Sequence, residues 1–567
     1  MTLSTNKEKY KVLLAAVLII LSLLAMGLKI CVGLDNDEVF IIYLASRVAE
    51  GKTLFLDSWD VYVTNAVIPA FFIRIYLDIT HSLDGLMVYL RIISSIVQCL
   101  VAYLSYRIFS KHYSRESAFF AAIVIANLLP RATQNLEYGF NAMIFIILTS
   151  LLLFDSFQSD GNKEIMVGMA GLSYGLAVFV YPTMLISLPY LLYLLFFRIN
   201  PSVKIRLKYN LIFWGCCFLL FLLFMYYILT HMTINDFIIN VSGLLKGDDH
   251  SKFFSAFSNR DSLFKLFFRS TALILCSFLL YLPLRKINHF PPITIVYIYI
   301  VLTCLLIIML NITGLRPSGP FGLLERYIIY AVMAVILAFS FKKDPPLFYC
   351  FTIMGFFIYF GALAGSNLGF AENAMYLEPT IISFIISIGE HKLSISKPGI
   401  SKLASLFIFM MLIELIFSKA YFVRVNGTTP SNVTEYRIVS EEGITKNIFL
   451  YPGQICEWKK YREYLQKNTQ FGITYINVGS DTLLNYYYNG EMAAPQYAGT
   501  LYAGRQWIDY YSLGKRELPD YIYVDIRYYP DITMFLSTPF GQYIKDRYVE
   551  QSLEPGAEFY ILKKKVL

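Results

Sequence analysis

Gly33-Leu-Asp-Asn-Asp-Glu-Val-Phe-Ile-Ile-Tyr-Leu-Ala-Ser-Arg-Val-Ala-Glu-Gly51 follows directly on the first long apolar run of the chain. Three carboxylates, Asp35, Asp37 and Glu38, lie within four residues of one another there. Because ionised groups are costly beside hydrocarbon, such a cluster is a candidate functional site. The same residues also suit a helix start, since Asp35 and Glu38 have the spacing of a capping box and Gly51 is a natural helix end. A functional cluster and a helix cap therefore both remain open.

The composition of the chain is that of a membrane protein. Of its 567 residues, 57% are hydrophobic and 16% are charged, and the mean hydropathy is +0.55. Apolar runs long enough to cross a hydrocarbon core recur from Val12 to about Leu415. The first run lacks a small-x-small cleavage site, so we interpret it as an uncleaved span.

The distribution of Lys and Arg predicts the topology. Most of these residues lie in short loops between apolar runs, which accounts for the net charge of +8 and gives no indication of nucleic-acid binding. The alternation predicts about thirteen transmembrane helices in a multi-pass protein of the cell (plasma or inner) membrane, with a cytoplasmic N-terminus. Residues 66–79 are short for a span and contain Pro69, Arg74 and Asp78, so we predict a helix that lies along the membrane.

The chain divides into two parts by composition. Residues 1–420 form the predicted transmembrane domain, and residues 421–567 are polar, rich in tyrosine and predicted to form an extracytoplasmic α/β domain. In this second part the patterns predict strands at 473–478, 521–526 and 559–562 and helices at 457–467, 482–488 and 533–549. Substrate contact, a lid and structural support all remain possible roles for it.

Asp35-Asn-Asp37 has the D-x-D form that holds a metal-bound nucleotide sugar in soluble glycosyltransferases, but here it follows a membrane span instead of a strand. Two carboxylates at i and i+2 do not face one way on a helix, so a divalent metal would need further ligands. We therefore predict no cofactor, with a divalent metal as the less favoured alternative. A partly desolvated carboxylate at the edge of a membrane is better suited to act as a general base.

A longer pattern surrounds this cluster. Asp37-Glu38 opens a helix that ends in Glu50-Gly51-Lys52, a segment containing Pro69 follows, and Arg91 lies early in the next span. This order after a single N-terminal span resembles the C-type (GT-C) membrane glycosyltransferases, in particular the protein O-mannosyltransferases, the lipid A aminoarabinose transferases and their bacterial relatives. The run Gly171-Leu-Ser-Tyr-Gly-Leu-Ala-Val-Phe-Val-Tyr-Pro182 is similar to their paired middle spans. The resemblance covers residues 10–420.

The resemblance implies a polytopic α-helical fold with juxtamembrane helices in the first exterior loop, and transfer of a sugar on the exterior face. The donor would be a polyprenyl-phosphate-linked sugar and the acceptor a cell-envelope glycan, lipid or protein. The predicted membrane topology indicates the same class of donor. Nucleotide sugars are cytoplasmic, so a site on the exterior face needs a sugar carried by a lipid. By resemblance Asp37 is the catalytic carboxylate and Glu38 its neighbour in the motif, with Asp35 as the competing assignment.

Two further sets of residues are candidates for contact with substrate. A lipid-phosphate leaving group needs cationic stabilisation, for which the planar guanidinium of arginine is suited. The candidates for donor-phosphate binding are Arg91, Arg131, Arg316 and Arg326. The candidates for lining the substrate cavity are Asp57, Tyr138, Asn141, Asn367 and Tyr376.

Two other functions stay open on the sequence. A glycan polymerase or ligase would move whole chains from a polyprenyl-diphosphate, and would need cationic exterior loops more than an acid cluster after the first span. A transporter or flippase of lipid-linked sugars would show broken helices in repeated halves, and the sequence has no internal repeat of that kind.

Overall fold

The structure is a computed structural model, in which many chain segments are described. These segments are residues 2–60, 62–129, 134–158, 162–198, 202–245, 260–288, 293–313, 327–328, 330–332, 334–335, 345–365, 373–394, 398–423, 432–468, 472–479, 482–488, 490–496, 504–513, 516–551 and 557–565.

Helices make up the N-terminal part of the chain. Their bounds are α1 Thr2–Cys31, α2 Asn36–Ala49, α3 Val67–Thr80, α4 Leu86–His112, α5 Arg115–Asn127, α6 Tyr138–Gln158, α7 Lys163–Val180, α8 Leu188–Phe197, α9 Val203–His231, α10 Ile234–Leu245, α11 Arg260–Asn288, α12 Ile293–Thr313, α13 Met354–Ala364, α14 Glu378–Ser394 and α15 Pro398–Tyr421. Short 3₁₀ turns precede α3, α8 and α14, and a π-helical turn precedes α13.

The protein is a multi-pass membrane protein. Within the described residues, seven helical segments are long and apolar enough to cross a membrane: Lys9–Cys31, Val63–Thr80, Leu86–His112, Tyr138–Gln158, Lys163–Val180, Val203–His231 and Ala404–Tyr421. Helical membrane architecture followed by a C-terminal sheet is thus the fold class predicted from the sequence. The number thirteen remains a prediction.

Helix α3, together with the 3₁₀ turn before it, has the length and composition of a span. Trp59, eight residues before α3, donates its backbone N–H to the carbonyl of Pro495 at 2.7 Å. Asp84, just after its end, accepts from the backbone N–H of Gly443 at 2.9 Å. The chain segments on either side of α3 therefore contact the C-terminal domain, and a position of α3 along the membrane remains a prediction. We call the face of the helical domain that carries this domain the C-domain side.

The C-terminal domain is built on a five-stranded mixed sheet. Its strands are β3 Thr474–Val478, β4 Glu491–Met492, β5 Tyr521–Asp525, β6 Tyr548–Glu550 and β7 Phe559–Lys564, in the order β4-β3-β5-β7-β6. The first three are parallel, and β7 runs antiparallel to β5 and β6. A separate hairpin pairs β1 Ile438–Val439 with β2 Phe449–Leu450.

Short helices complete the domain. They are α16 Pro452–Asn468, α17 Arg505–Leu513, α18 Ile532–Leu536 and α19 Pro539–Ile544. The prediction of a single helix over 533–549 is wrong, because two short helices lie there. The first ends before Thr538, whose side chain caps α19 ahead of Pro539. Proline is favoured in the first turn of a helix and disfavoured inside one. The last residues of the predicted helix belong to β6.

Glycines allow α7 and α9 to pack closely. A methyl group added at Gly171 would lie 2.3 Å from the carbonyl oxygen of Phe213, a backbone atom that cannot move aside cheaply. Small residues at such contacts are what bring membrane helices together.

Replacing Gly171 by alanine should therefore destabilise the helical domain by about 1–3 kcal/mol, as overpacking does elsewhere. Thermal unfolding in detergent measures the effect. Gly215→Ala on α9 is the matched control, because nothing lies within 4 Å of its added methyl group. Equal unfolding midpoints for the two variants would contradict the close contact.

Candidate active site

The turn between α1 and α2 places the acid cluster. Gly33 adopts φ +80°, and a methyl group added there would lie 2.4 Å from Val423 Cγ1, so the turn fits tightly against the chain that leaves α15. Asp35 then caps α2, accepting the backbone N–H of Asp37 at 3.1 Å. Helix α2 ends before Gly51, whose φ of +99° confirms the predicted stop. The helix-start role of Asp35 is thus real.

Glu38 does not complete a capping box, because its carboxylate is bound to Arg91. The guanidinium of Arg91 donates through Nε to Glu38 Oε1 at 2.7 Å and through Nη2 to Oε2 at 2.6 Å. Both side chains are buried, at 4% and 1% exposure. This fork-to-fork geometry is the strongest form of ion pair that side chains make.

Arg91 also fastens the end of α1. Its Nη2 donates to the carbonyl of Gly33 at 2.8 Å, and its Nη1 donates to that of Ile30 at 3.1 Å. The last carbonyls of a helix lack partners within the helix, so these bonds satisfy groups that burial would otherwise penalise. Arg91, on α4, therefore links that helix to α1 and α2.

The three carboxylates differ in their access to solvent. Asp35 and Glu38 are 3% and 1% exposed. Asp37, in the first turn of α2, is only partly buried. Among the three, Asp37 is thus the most exposed.

Four tyrosines from separate segments gather on the C-domain side. Tyr62 and Tyr138 stack with ring centroids 3.7 Å apart, and Tyr181 packs edge-on against both at 5.6 and 5.5 Å. Tyr376 follows at 5.8 Å from Tyr181. The sequence predicted Tyr138 and Tyr376, and the structure brings them into one cluster. The sequence analysis did not identify Tyr62 or Tyr181 as site residues. Tyr181 directly precedes Pro182, the last residue of the middle-span run quoted above.

Buried polar groups surround this tyrosine cluster. Asn141 donates its amide to Asn65 Oδ1 at 2.8 Å and to the carbonyl of Leu136 at 2.9 Å. Glu137 caps α6 by accepting the backbone N–H groups of residues 139 and 140 at 2.9 and 2.8 Å. A methyl group added at Gly139 would lie 2.8 Å from both the Glu137 carboxylate and the Tyr376 hydroxyl. Asn141 is thus held rigidly beside the tyrosines.

Asp57 lies elsewhere on the same face. Its carboxylate accepts the backbone N–H of Thr53 at 2.6 Å, and its carbonyl accepts the hydroxyl of Tyr510 at 3.1 Å. These bonds join the first loop to the C-terminal domain. Four predicted site residues lie outside the described residues: Arg131, Arg316, Arg326 and Asn367.

The outward face of α2 is covered by the C-terminal domain. Tyr43 meets Tyr486 edge-on at 5.1 Å, and burial raises the pKa of Tyr43 to about 12. Arg47 pairs with Glu491 at 2.8 Å, and Lys52 pairs with the same carboxylate. The helix that carries Asp37 is therefore held from both sides. Arg91 holds it from the membrane domain, and Tyr486 and Glu491 hold it from the C-terminal domain.

A second junction joins the first loop, α10 and the C-terminal domain. Trp59 Nε1 donates to Asn240 Oδ1 at 2.8 Å, and Arg516 Nη2 donates to the same oxygen at 2.9 Å. Gly243 packs so closely on Trp59 that an added methyl group would lie 2.2 Å from the indole ring. Sequence patterns gave no sign of this junction, because its members are far apart in the chain.

Two buried lysines were also missed. Lys29, near the end of α1, donates to the carbonyl of Phe422, and Lys419 on α15 donates to Gln98 Oε1 at 3.1 Å and to the carbonyl of Ala126 at 2.8 Å. Their position inside apolar runs was a visible signal, since lysine in such a run marks a special environment. In the described residues, no group of three or more His, Cys, Asp or Glu side chains is arranged to hold a metal ion.

No protein-family model matches the chain. No curated protein matches it by sequence. Solved structures similar to it include the archaeal oligosaccharyltransferase AglB from Archaeoglobus fulgidus, in complex with an inhibitory peptide and a dolichol-phosphate. That protein is 12% identical, with 99% of this chain and 75% of that chain covered at a TM-score of 0.45.

ArnT from Cupriavidus metallidurans bound to undecaprenyl phosphate is 10% identical, with 98% of each chain covered at a TM-score of 0.37. AglB and ArnT are both C-type glycosyltransferases, the family to which the sequence shows a resemblance. At TM-scores below 0.5, this likeness by itself assigns neither a substrate nor catalytic residues to the chain.

Proposed function

We propose that the protein is an integral-membrane glycosyltransferase that moves a sugar from a polyprenyl-phosphate carrier to a cell-envelope glycan, lipid or protein. The reaction takes place on the C-domain side, which we assign to the cell exterior, with the N-terminus in the cytoplasm. The observation that carries this proposal is the division of roles in the acid cluster. Asp35 caps α2, Glu38 is paired with Arg91, and Asp37 is the most exposed of the three carboxylates.

In the proposed reaction Asp37 is the general base. The hydroxyl oxygen of the acceptor attacks the anomeric carbon of the donor sugar, and its proton passes to the Asp37 carboxylate. The bond between the anomeric carbon and the phosphate oxygen breaks, and polyprenyl phosphate leaves with the bonding electrons. A single displacement of this kind inverts the anomeric centre. No nucleotide and no covalent enzyme intermediate takes part.

The leaving phosphate needs a cation that is not already committed. Arg91 would have to give up both oxygens of Glu38 and two helix-end carbonyls, so we assign it to holding the site. We propose that the phosphate is met by the other predicted arginines, Arg131, Arg316 and Arg326. Arginine binds phosphate oxygens in a bidentate manner that lysine does not reproduce.

We place the sugar-binding part of the cavity beside the tyrosine cluster. Asn141 is fixed there by two hydrogen bonds, and Tyr138 and Tyr376 lie in the same group of rings. Buried rings and fixed amides are the surfaces that orient polar ligands without a large entropic cost. Asn367 remains a proposed member of this lining. We assign Asp57 to stabilising the first loop.

The experiment is a donor panel presented to the purified protein in liposomes. We expect one radiolabelled polyprenyl-phosphate sugar to be consumed, with free polyprenyl phosphate and labelled acceptor formed in equal amounts. Turnover of a polyprenyl-diphosphate glycan alone would favour a polymerase or ligase. Movement of an intact donor across the bilayer, without cleavage, would favour a transporter.

A further inference from the structure

The β1–β2 hairpin exposes an apolar surface that the fold of its own domain does not explain. Ile438, Val439 and Phe449 are 40%, 41% and 38% exposed. Val439 and Phe449 are directly paired across the two strands, so their side chains lie on one face. Large apolar side chains grouped on a protein surface usually mark a contact with something else.

One end of the hairpin is fixed to the end of the first span. Phe449 forms a β-bridge with Val32, the residue that follows α1, and its carbonyl accepts the backbone N–H of Gly33 at 3.0 Å. Helix α1 contains the candidate span that ends at Cys31. Phe449 therefore lies at the level where the chain leaves the hydrocarbon.

The other end of the hairpin is fixed to the start of another span. The carbonyl of Gly443 accepts the backbone N–H of Gly85 at 2.9 Å, and the carbonyl of Ile444 accepts that of Met87 at 3.2 Å. These residues begin α4, the candidate span Leu86–His112. Since both attachments are at span ends on the C-domain side, the hairpin runs along the membrane surface.

The pairing keeps the apolar residues close to the end of the first span. Strands lie about 4.8 Å apart, so Val439 is roughly 10 Å from the backbone of Val32, two strand spacings away. The headgroup layer on each side of the hydrocarbon core is itself roughly 5–8 Å deep. An apolar side chain that enters this layer replaces water with acyl-chain and headgroup contacts.

We propose that the β1–β2 hairpin is a lipid-contact element, through which the C-terminal domain rests on the bilayer leaflet of the C-domain side. Apolar burial and not charge carries the contact, because the hairpin holds two basic residues, Arg437 and Lys446, and two acidic ones, Glu441 and Glu442. Zwitterionic lipid is therefore the appropriate probe. The proposal is independent of the proposed reaction.

The test places a genetically encoded environment-sensitive fluorescent amino acid at Val439, in the full-length protein in liposomes of zwitterionic lipid. A fraction of the lipid carries a nitroxide quencher near the headgroup. The same fluorophore at Val549 is the matched control. Val549 is an exposed valine on β6, the sheet edge opposite β4, whose Glu491 contacts α2.

We expect the fluorophore at position 439 to be quenched several-fold more than the one at 549, and to emit at shorter wavelength in liposomes. A second probe at Phe449, which is paired with Val439 on the same face, repeats the measurement if the first variant does not fold. Equal quenching at the hairpin and at Val549 would overturn the proposal and leave the hairpin a water-exposed surface.

Discussion

Replacing Glu38 by glutamine is expected to lower the free energy of unfolding by about 3–5 kcal/mol, because a buried charge would lose the partner that compensates it. The side chain of Arg91 is 4% exposed, which leaves little room for water to replace the carboxylate. Breaking the pair would also release the end of α1, since the same guanidinium holds the carbonyls of Ile30 and Gly33.

The measurement is unfolding by a denaturing detergent, followed by circular dichroism. The control is Asp78→Asn, which removes one partner of the exposed Arg74–Asp78 pair on α3. Surface pairs contribute about 0–1 kcal/mol, so this variant should unfold close to wild type. Arg91→Lys should fall between them, because an ammonium group keeps the charge but cannot form two parallel bonds. Unfolding of Glu38→Gln at the wild-type midpoint would show that the Glu38–Arg91 pair does not stabilise the fold.

Replacing Asp37 by asparagine is expected to lower the turnover number about 10²–10⁴-fold, the range that a general base contributes. The substitution keeps the size and shape of the side chain and removes only its ability to take a proton. Donor affinity should therefore change little. The measurement is steady-state transfer of the labelled sugar, with donor binding determined separately by filtration.

Asp35→Asn is the informative companion to this variant. Asparagine caps a helix as well as aspartate does, so α2 should begin normally and the site should keep its shape. We expect transfer by this variant to stay near wild type. Loss of turnover in Asp35→Asn, with Asp37→Asn active, would move the base to Asp35.

Part of the site could be predicted from local residue preferences. Helix α2 begins after Asp35 and ends before Gly51, because each of these residues favours the backbone conformation found there. The position of α3 along the membrane stays a prediction, because Val63–Thr80 also has the length and composition of a span. Where a local signal was overlooked, at Pro539, the predicted helix was wrong.

The remainder depended on pairs that are distant in the chain. Glu38 and Arg91 are 53 residues apart, and nothing in either segment shows that they meet. A cation in an apolar run predicts a special role, but the sequence does not show that Arg91 is paired with Glu38. Tyr62 and Tyr181 were missed for the same reason. Tertiary contacts decide which carboxylate is paired with an arginine and which one is more exposed to solvent.

The most direct test of the assignment of Asp37 is a single-turnover measurement on donor that is already bound. Wild type and Asp37→Asn are loaded with equal amounts of labelled polyprenyl-phosphate sugar, acceptor is added, and polyprenyl phosphate is counted after rapid quenching. We expect wild type to release one polyprenyl phosphate for each sugar transferred, while Asp37→Asn retains its donor uncleaved. Cleavage by the variant at the wild-type rate would contradict the assignment of Asp37 as the base.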